Sequence, residues 1–191
     1  MVMTTAIVEG SIQAVSQASG KSIAESFVMC DVIVIVDTSG SMSQRDRRGG
    51  LSRYEVACED LAAIQKSMPG RVAVISFSND AVFCPGGVPI FIGSSTDLAK
   101  ALRFAKMADF EGSRFILISD GSPDHPEEAL EVAKTYTARI DVIYVGPEAN
   151  PIGRFYLEKL AKVSSGTTVT SDRASDLLST VTKLLGNGDS V

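Results

Sequence analysis

From residue 32 onward, short apolar runs alternate with stretches of helical period. Val32-Ile33-Val34-Ile35-Val36 is apolar throughout and entirely β-branched. A strand with one wet face would alternate, so this run predicts a central strand covered on both sides. Between Ser52 and Met68, the residues Tyr54, Val56, Ala57, Leu61 and Ile64 recur at helical spacing, and Pro69-Gly70 ends that helix before the strand Val72-Ala73-Val74-Ile75-Ser76-Phe77. Ser78-Asn79-Asp80 reads as a tight turn into Ala81-Val82-Phe83. That short strand is expected to run antiparallel at the sheet edge, where Pro85 and Pro89 are tolerated.

The alternation continues with a helix over 97–106, a strand over 115–118, a helix over 126–136, a strand over 140–145, a helix over 153–163, a short strand near Thr168 and a helix over 174–185. Residues 1–28 are less regular. Ile7, Ile12 and Val15 suggest an amphipathic helix ending near Gly20, with Gly10 weakening the pattern. The expected fold class is α/β: a doubly wound, Rossmann-like, mostly parallel sheet with one antiparallel edge strand and helices on both faces. One domain is expected over 29–186, with a partly helical extension over 1–28 packed on it and a frayed tail over 187–191.

Composition narrows the partners. The 191 residues suit one domain, and a net charge of −5 works against general attraction to nucleic acid or an anionic membrane. No apolar run approaches the roughly 18 residues needed to cross a bilayer, and no secretion leader is visible, so a cytoplasmic protein without a membrane partner is expected. Cys30, Cys58 and Cys84 lack paired metal-ligand spacing and sit in apolar or helical segments. They read as buried free thiols of a reducing compartment.

The candidate chemistry lies where the central strand ends, in Asp37-Thr38-Ser39-Gly40-Ser41-Met42. Open α/β sheets bind ligands at the carboxyl ends of their strands. A turn there aims positions 37, 39 and 41 at one centre, and a donor set made only of oxygens suits a hard cation such as Mg²⁺.

This Asp-x-Ser-x-Ser run after a hydrophobic strand resembles the metal-ion-dependent adhesion site of von Willebrand factor A domains of the bacterial, intracellular type. Two later segments extend the resemblance: Gly93-Ser94-Ser95-Thr96-Asp97-Leu98 looks like the family's threonine loop, and Ile118-Ser119-Asp120-Gly121 like its second aspartate. The likeness covers residues 30–185 and leaves the first 28 aside. It implies a metal set of Asp37, Ser39, Ser41, Thr96 and Asp120. The three hydroxyls would bind Mg²⁺, or Mn²⁺ or Ca²⁺, directly, and the two carboxylates would act largely through water. The implied function is binding rather than turnover, with a protein partner supplying an Asp or Glu carboxylate to the ion.

A metal-dependent phosphoryl-transfer enzyme is the alternative, since an aspartate after a first strand also opens such sites. Those sites need a second carboxylate in the same loop and a lysine, and here Ser39 holds the second position. Nucleotide-binding glycine motifs are absent. The loop Gln44-Arg45-Asp46-Arg47-Arg48-Gly49-Gly50 reads either as a solvated surface or as a rim that steers an acidic partner. His125 reads as a surface loop residue, and Asp124 as a cap for the helix that follows.

Overall fold

The computed structural model describes residues 7–27, 29–46, 50–121, 123–147 and 151–170. The apolar run after Asp31 forms β1 (Val32–Asp37), buried along its whole length. A 3-10 turn over Gly40–Ser43 follows, and then α3 (Arg53–Ser67) leads to β2 (Val72–Phe77) and β3 (Ala81–Phe83). After them come α4 (Leu98–Ala105), β4 (Arg114–Ser119), α5 (Pro126–Lys134), β5 (Ile140–Tyr144), α6 (Pro151–Val163) and β6 (Thr168–Thr170). Among the described residues two short helices precede the sheet, α1 (Ile12–Ser19) and α2 (Ile23–Phe27).

The six strands lie in the order β3-β2-β1-β4-β5-β6. All pairings are parallel except β2 with β3, where Ile75 faces Phe83 and Phe77 faces Ala81. This is the doubly wound sheet with one antiparallel edge strand expected from the hydrophobic pattern. The order places β1 between β2 and β4, so the chain winds one way from β1 through β2 to β3 and the other way from β4 through β5 to β6. A crevice opens at that reversal, at the carboxyl ends of β1 and β4.

Side chains alternate across β1. Ile33 and Ile35 belong to a buried cluster that also holds Leu98 and Leu102 of α4, Leu130 of α5 and Leu157 of α6. Val32, Val34 and Val36 pack with Ala57, Leu61 and Ile64 of α3. Burial on both faces explains why the strand carries no polar residue until Asp37. Among the described residues no helix is long and apolar enough to cross a membrane.

The helix expected over residues 7–20 is α1, with Ser11 as its N-cap, so Gly10 stands before the helix rather than inside it. The amide of Val8 donates to the Gly86 carbonyl, that of Gln13 to the Pro85 carbonyl, and that of Gly70 to the Gly10 carbonyl. Phe27 of α2 meets Phe83 of β3 edge to face. Helix α6 begins at Pro151, two residues before the expected start, because proline suits a first helical position. The helix expected over 174–185 and the tail over 187–191 lie outside the described residues.

Candidate functional site

Four of the five candidate ligands form one hydrogen-bonded cluster in the crevice. Asp37 ends β1 fully buried; its Oδ1 accepts from the Ser39 amide at 2.9 Å and its Oδ2 from the Ser119 hydroxyl at 2.6 Å. The Ser39 and Ser41 hydroxyls lie 3.1 Å apart, and Ser41 donates to Asp120 Oδ1 at 2.9 Å. The 3-10 turn over Gly40–Ser43 makes this possible, since it folds Ser41 back toward the end of β4.

Thr96 joins through its loop. The Gly93 amide donates to the Thr38 carbonyl and the Gly40 amide to the Ser94 carbonyl, so the 93–96 segment is laced to the loop after β1. Ser78, at the end of β2, braces it further by donating to the Ser95 carbonyl and accepting from the Ser94 amide. Gly93 has a φ of 73°, a left-handed conformation that glycine adopts without strain and that turns the segment inward. Among the described residues the Thr96 hydroxyl itself is in no hydrogen bond.

Asp124 differs from expectation. It accepts from the Thr96 amide at 2.9 Å, while its own amide donates to the Thr96 carbonyl. Helix α5 takes His125 as its N-cap without a side-chain hydrogen bond. Asp124 thus clamps the threonine loop to the loop after β4 rather than capping the helix. His125 is exposed.

Arg53 was not legible as a site residue. It opens α3, yet its side chain is only 4% exposed and its Nη1 donates to Asp120 Oδ2 at 2.6 Å. Its Nε donates to Asp46, and its Nη2 to Asp46 and to Gln44 Oε1. A cation in the first turn of a helix opposes the helix dipole, so an arginine there signals acceptors close by. That mismatch was the clue in the sequence. Burial works against the charge on Arg53, but hydrogen bonds to Asp46 and Asp120 more than offset it, and the guanidinium is held more firmly protonated than in water.

Asp37 carries the opposite imbalance. Its carboxyl is raised to about 6 on balance: burial pushes it up, the hydrogen bonds from Ser119 and Ser39 pull it down, and the nearby charge of Asp120 pushes it up again. A buried carboxylate raised in this way lacks a sufficient counter-charge.

The donor chemistry fits a hard divalent cation: two carboxylates and the hydroxyls of Ser39, Ser41 and Thr96, with no sulfur or imidazole among them. Among the described residues no three His, Cys, Asp or Glu side chains form a group. A site made mostly of hydroxyls does not require one. Elsewhere in the described residues, an apolar groove of about 590 Å³ runs between α2 and the far end of α4, lined by Ile23, Phe27, Phe83, Phe104 and Met107. Cys30 and Cys84 are buried and Cys58 partly so, and burial pushes the thiols of Cys30 and Cys58 up to about 12 and about 11. Of the arginine-rich loop, Arg45 is exposed and pairs with Glu55 at 3.1 Å, while Arg47 and Arg48 lie outside the described residues.

No protein-family model matches the chain, and no curated protein sequence matches it. Solved structures do share its fold. An aerotolerance-related membrane protein from Bacteroides fragilis, bearing multiple mutations to serines, aligns at TM-score 0.64 and 17% identity over 83% of this chain and 99% of that one. The SpRpn10 VWA domain aligns at TM-score 0.58 and 12% identity over 74% of this chain and 87% of that one. The manganese-loaded TRAP protein of Plasmodium vivax aligns at TM-score 0.55 and 16% identity, over 78% of this chain and 72% of that one. The chain therefore has a von Willebrand factor A-like fold.

Proposed function

We propose that this chain is a cytoplasmic protein-interaction module that holds one divalent cation, Mg²⁺ or Mn²⁺ foremost, and uses it to bind an acidic side chain of a partner protein. The observation that carries the reading is the cluster of Asp37, Ser39, Ser41 and Asp120 at the sheet's reversal point. Likeness of fold to a VWA domain and to a manganese-loaded protein supports it.

Ser39, Ser41 and Thr96 would supply hydroxyl ligands, and Asp37 and Asp120 would balance the charge. When bound, the ion supplies an electrophilic centre that accepts a carboxylate oxygen from the partner. Ser119 fixes the Asp37 carboxylate, and Ser78 and Asp124 hold the threonine loop against the site. Ser39 stands where a phosphoryl-transfer site of this kind would carry a second aspartate, so binding without turnover is the reading favoured here.

Titration calorimetry with Mg²⁺ and Mn²⁺, on the wild-type chain and on Ser41→Ala, tests the ion. Capture of a partner in Mg²⁺ and in EDTA, followed by carboxylate-to-amide changes on that partner, tests the function. Expected results are millimolar or tighter binding of the ion, weakened by Ser41→Ala without unfolding, and a partner lost in EDTA. Absence of ion binding at millimolar concentration, or full-strength capture in EDTA, would sink the proposal.

A further inference from the structure

We infer that Arg53 sets the charge of the candidate cation site: its guanidinium, held against Asp120, makes the chain bind a divalent cation loosely alone and more tightly once an anionic ligand joins it. The inference rests on the cation reading proposed above.

The argument starts from which charges are removed from water. Asp37, Asp120 and Arg53 are 0%, 4% and 4% exposed. Two buried carboxylates and one buried guanidinium leave one net negative charge to face a doubly charged ion. Asp46 also pairs with the guanidinium, through Nε and Nη2 rather than the Nη1 that meets Asp120, but its side chain is 36% exposed, so water weakens its charge at the site relative to the two buried carboxylates. Arginine does not deprotonate in proteins, so this contribution persists over the whole physiological pH range.

Geometry places the charge beside the ligands. Asp120 offers Oδ1 to Ser41 and Oδ2 to Arg53, so the guanidinium stands one carboxylate width from the hydroxyls that would hold the ion. A cation bound there keeps an excess of positive charge, and an incoming carboxylate neutralises it. Ion and anion then favour each other's binding, and the coupling is reciprocal.

A purely structural Arg53 makes the opposite prediction. Its fork joins Gln44 and Asp46 on one side to Asp120 on the other, tying the segment after the 3-10 turn to the end of β4. If that tie were its whole role, removing it would loosen Asp120 and weaken the ion. If charge dominates, removing it strengthens the ion.

The test measures free Mn²⁺ by electron paramagnetic resonance in titrations of the full chain, as wild type, Arg53→Gln and Arg53→Lys, with and without acetate as a probe carboxylate. Arg53→Gln should bind Mn²⁺ about tenfold more tightly or better, and Arg53→Lys, which keeps the charge, should stay within about threefold of wild type. Acetate should tighten Mn²⁺ binding to wild type and Arg53→Lys, and do so less for Arg53→Gln. Equal or weaker Mn²⁺ binding by a folded Arg53→Gln, as judged by circular dichroism, overturns the inference. Should Arg53→Gln not fold, Arg53→Lys decides: wild-type affinity with acetate coupling supports the charge role, and lost affinity overturns it. Mn²⁺ binding by none of the chains removes the cation reading and the inference together. Binding by wild type with no gain in Arg53→Gln removes the inference alone.

Discussion

The hydroxyl of Ser119, the last residue of β4, donates to the carboxylate of Asp37, the last residue of β1, at 2.6 Å. The two residues are 82 positions apart in the chain and both are buried. Since Asp37 Oδ1 already takes the Ser39 amide, Ser119 is the donor that satisfies the second oxygen. Ser119→Ala should therefore leave a buried carboxylate oxygen unpaired and cost about 1–3 kcal/mol. Urea unfolding of the metal-free chain at neutral pH measures this. A loss below about 0.5 kcal/mol, the size of an ordinary surface change, would show that the bond does not hold Asp37.

Asp37 also gives the metal-free chain an unusual pH dependence. Its folded value, about 6, lies above its ordinary 3.8, so folding favours the protonated form. The stabilising contribution is fully present below the unfolded value and is lost as pH rises through the folded one. The difference corresponds to roughly 3 kcal/mol. Lowering the pH of the metal-free chain from neutral through about 6 toward 3.8 should thus raise this group's contribution to stability. Glu55, Asp80 and Asp109, held below the usual carboxylate range, work the other way at the acid end of that window. Asp37→Asn should be more stable than wild type at neutral pH and should flatten the rise between neutral pH and about 6. Denaturant midpoints at a series of pH values check both points. A wild-type midpoint that falls steadily from neutral pH downward, with Asp37→Asn parallel to it, would contradict the assignment.

How far the sequence reached follows from the range of each signal. Strands β1, β2, β4 and β5 were legible because their burial is written locally, as unbroken apolar runs bounded by turns. Asp37, Ser39 and Ser41 were legible because they share one loop, and Asp120 because it follows a strand of the same kind. Arg53 and Asp120 pair across 67 positions, and no local period encodes which strand end will stand opposite a helix start. Only the awkward placement of a cation at the start of α3 pointed to a partner. Asp124 departs from the sequence expectation for a related reason: an aspartate just before Pro126 fits a helix cap, and the competing claim of the Thr96 amide depends on two loops meeting over the sheet. Helix α2 escaped notice because five residues are too few to show a helical period.

Two glycines beside Asp120 separate chain neighbourhood from spatial neighbourhood. Gly121 follows Asp120 directly, yet among the described residues a Cβ built on it meets nothing within 4 Å. Gly146, just after β5, would place a Cβ 2.4 Å from the Asp120 carbonyl oxygen and 2.4 Å from the Tyr144 hydroxyl. Neither wall yields easily. Asp120 is held through its side chain by Ser41 and Arg53, and Tyr144 is buried with its hydroxyl donating to the Pro147 carbonyl at 2.9 Å. Gly146→Ala should therefore overpack the end of β5 and cost about 1–3 kcal/mol. The strain falls partly on the Asp120 backbone, so Mn²⁺ affinity should drop as well, although no oxygen donor has been removed. Gly121→Ala should change stability by no more than about 0.5 kcal/mol and leave Mn²⁺ affinity near wild type. Thermal or urea unfolding of the two variants, followed by Mn²⁺ titration of whichever folds, gives the comparison. Equal stability of the two would mean that Asp120 is not backed by Gly146. A larger loss in Gly121→Ala would mean that the space beside Asp120 is filled in solution.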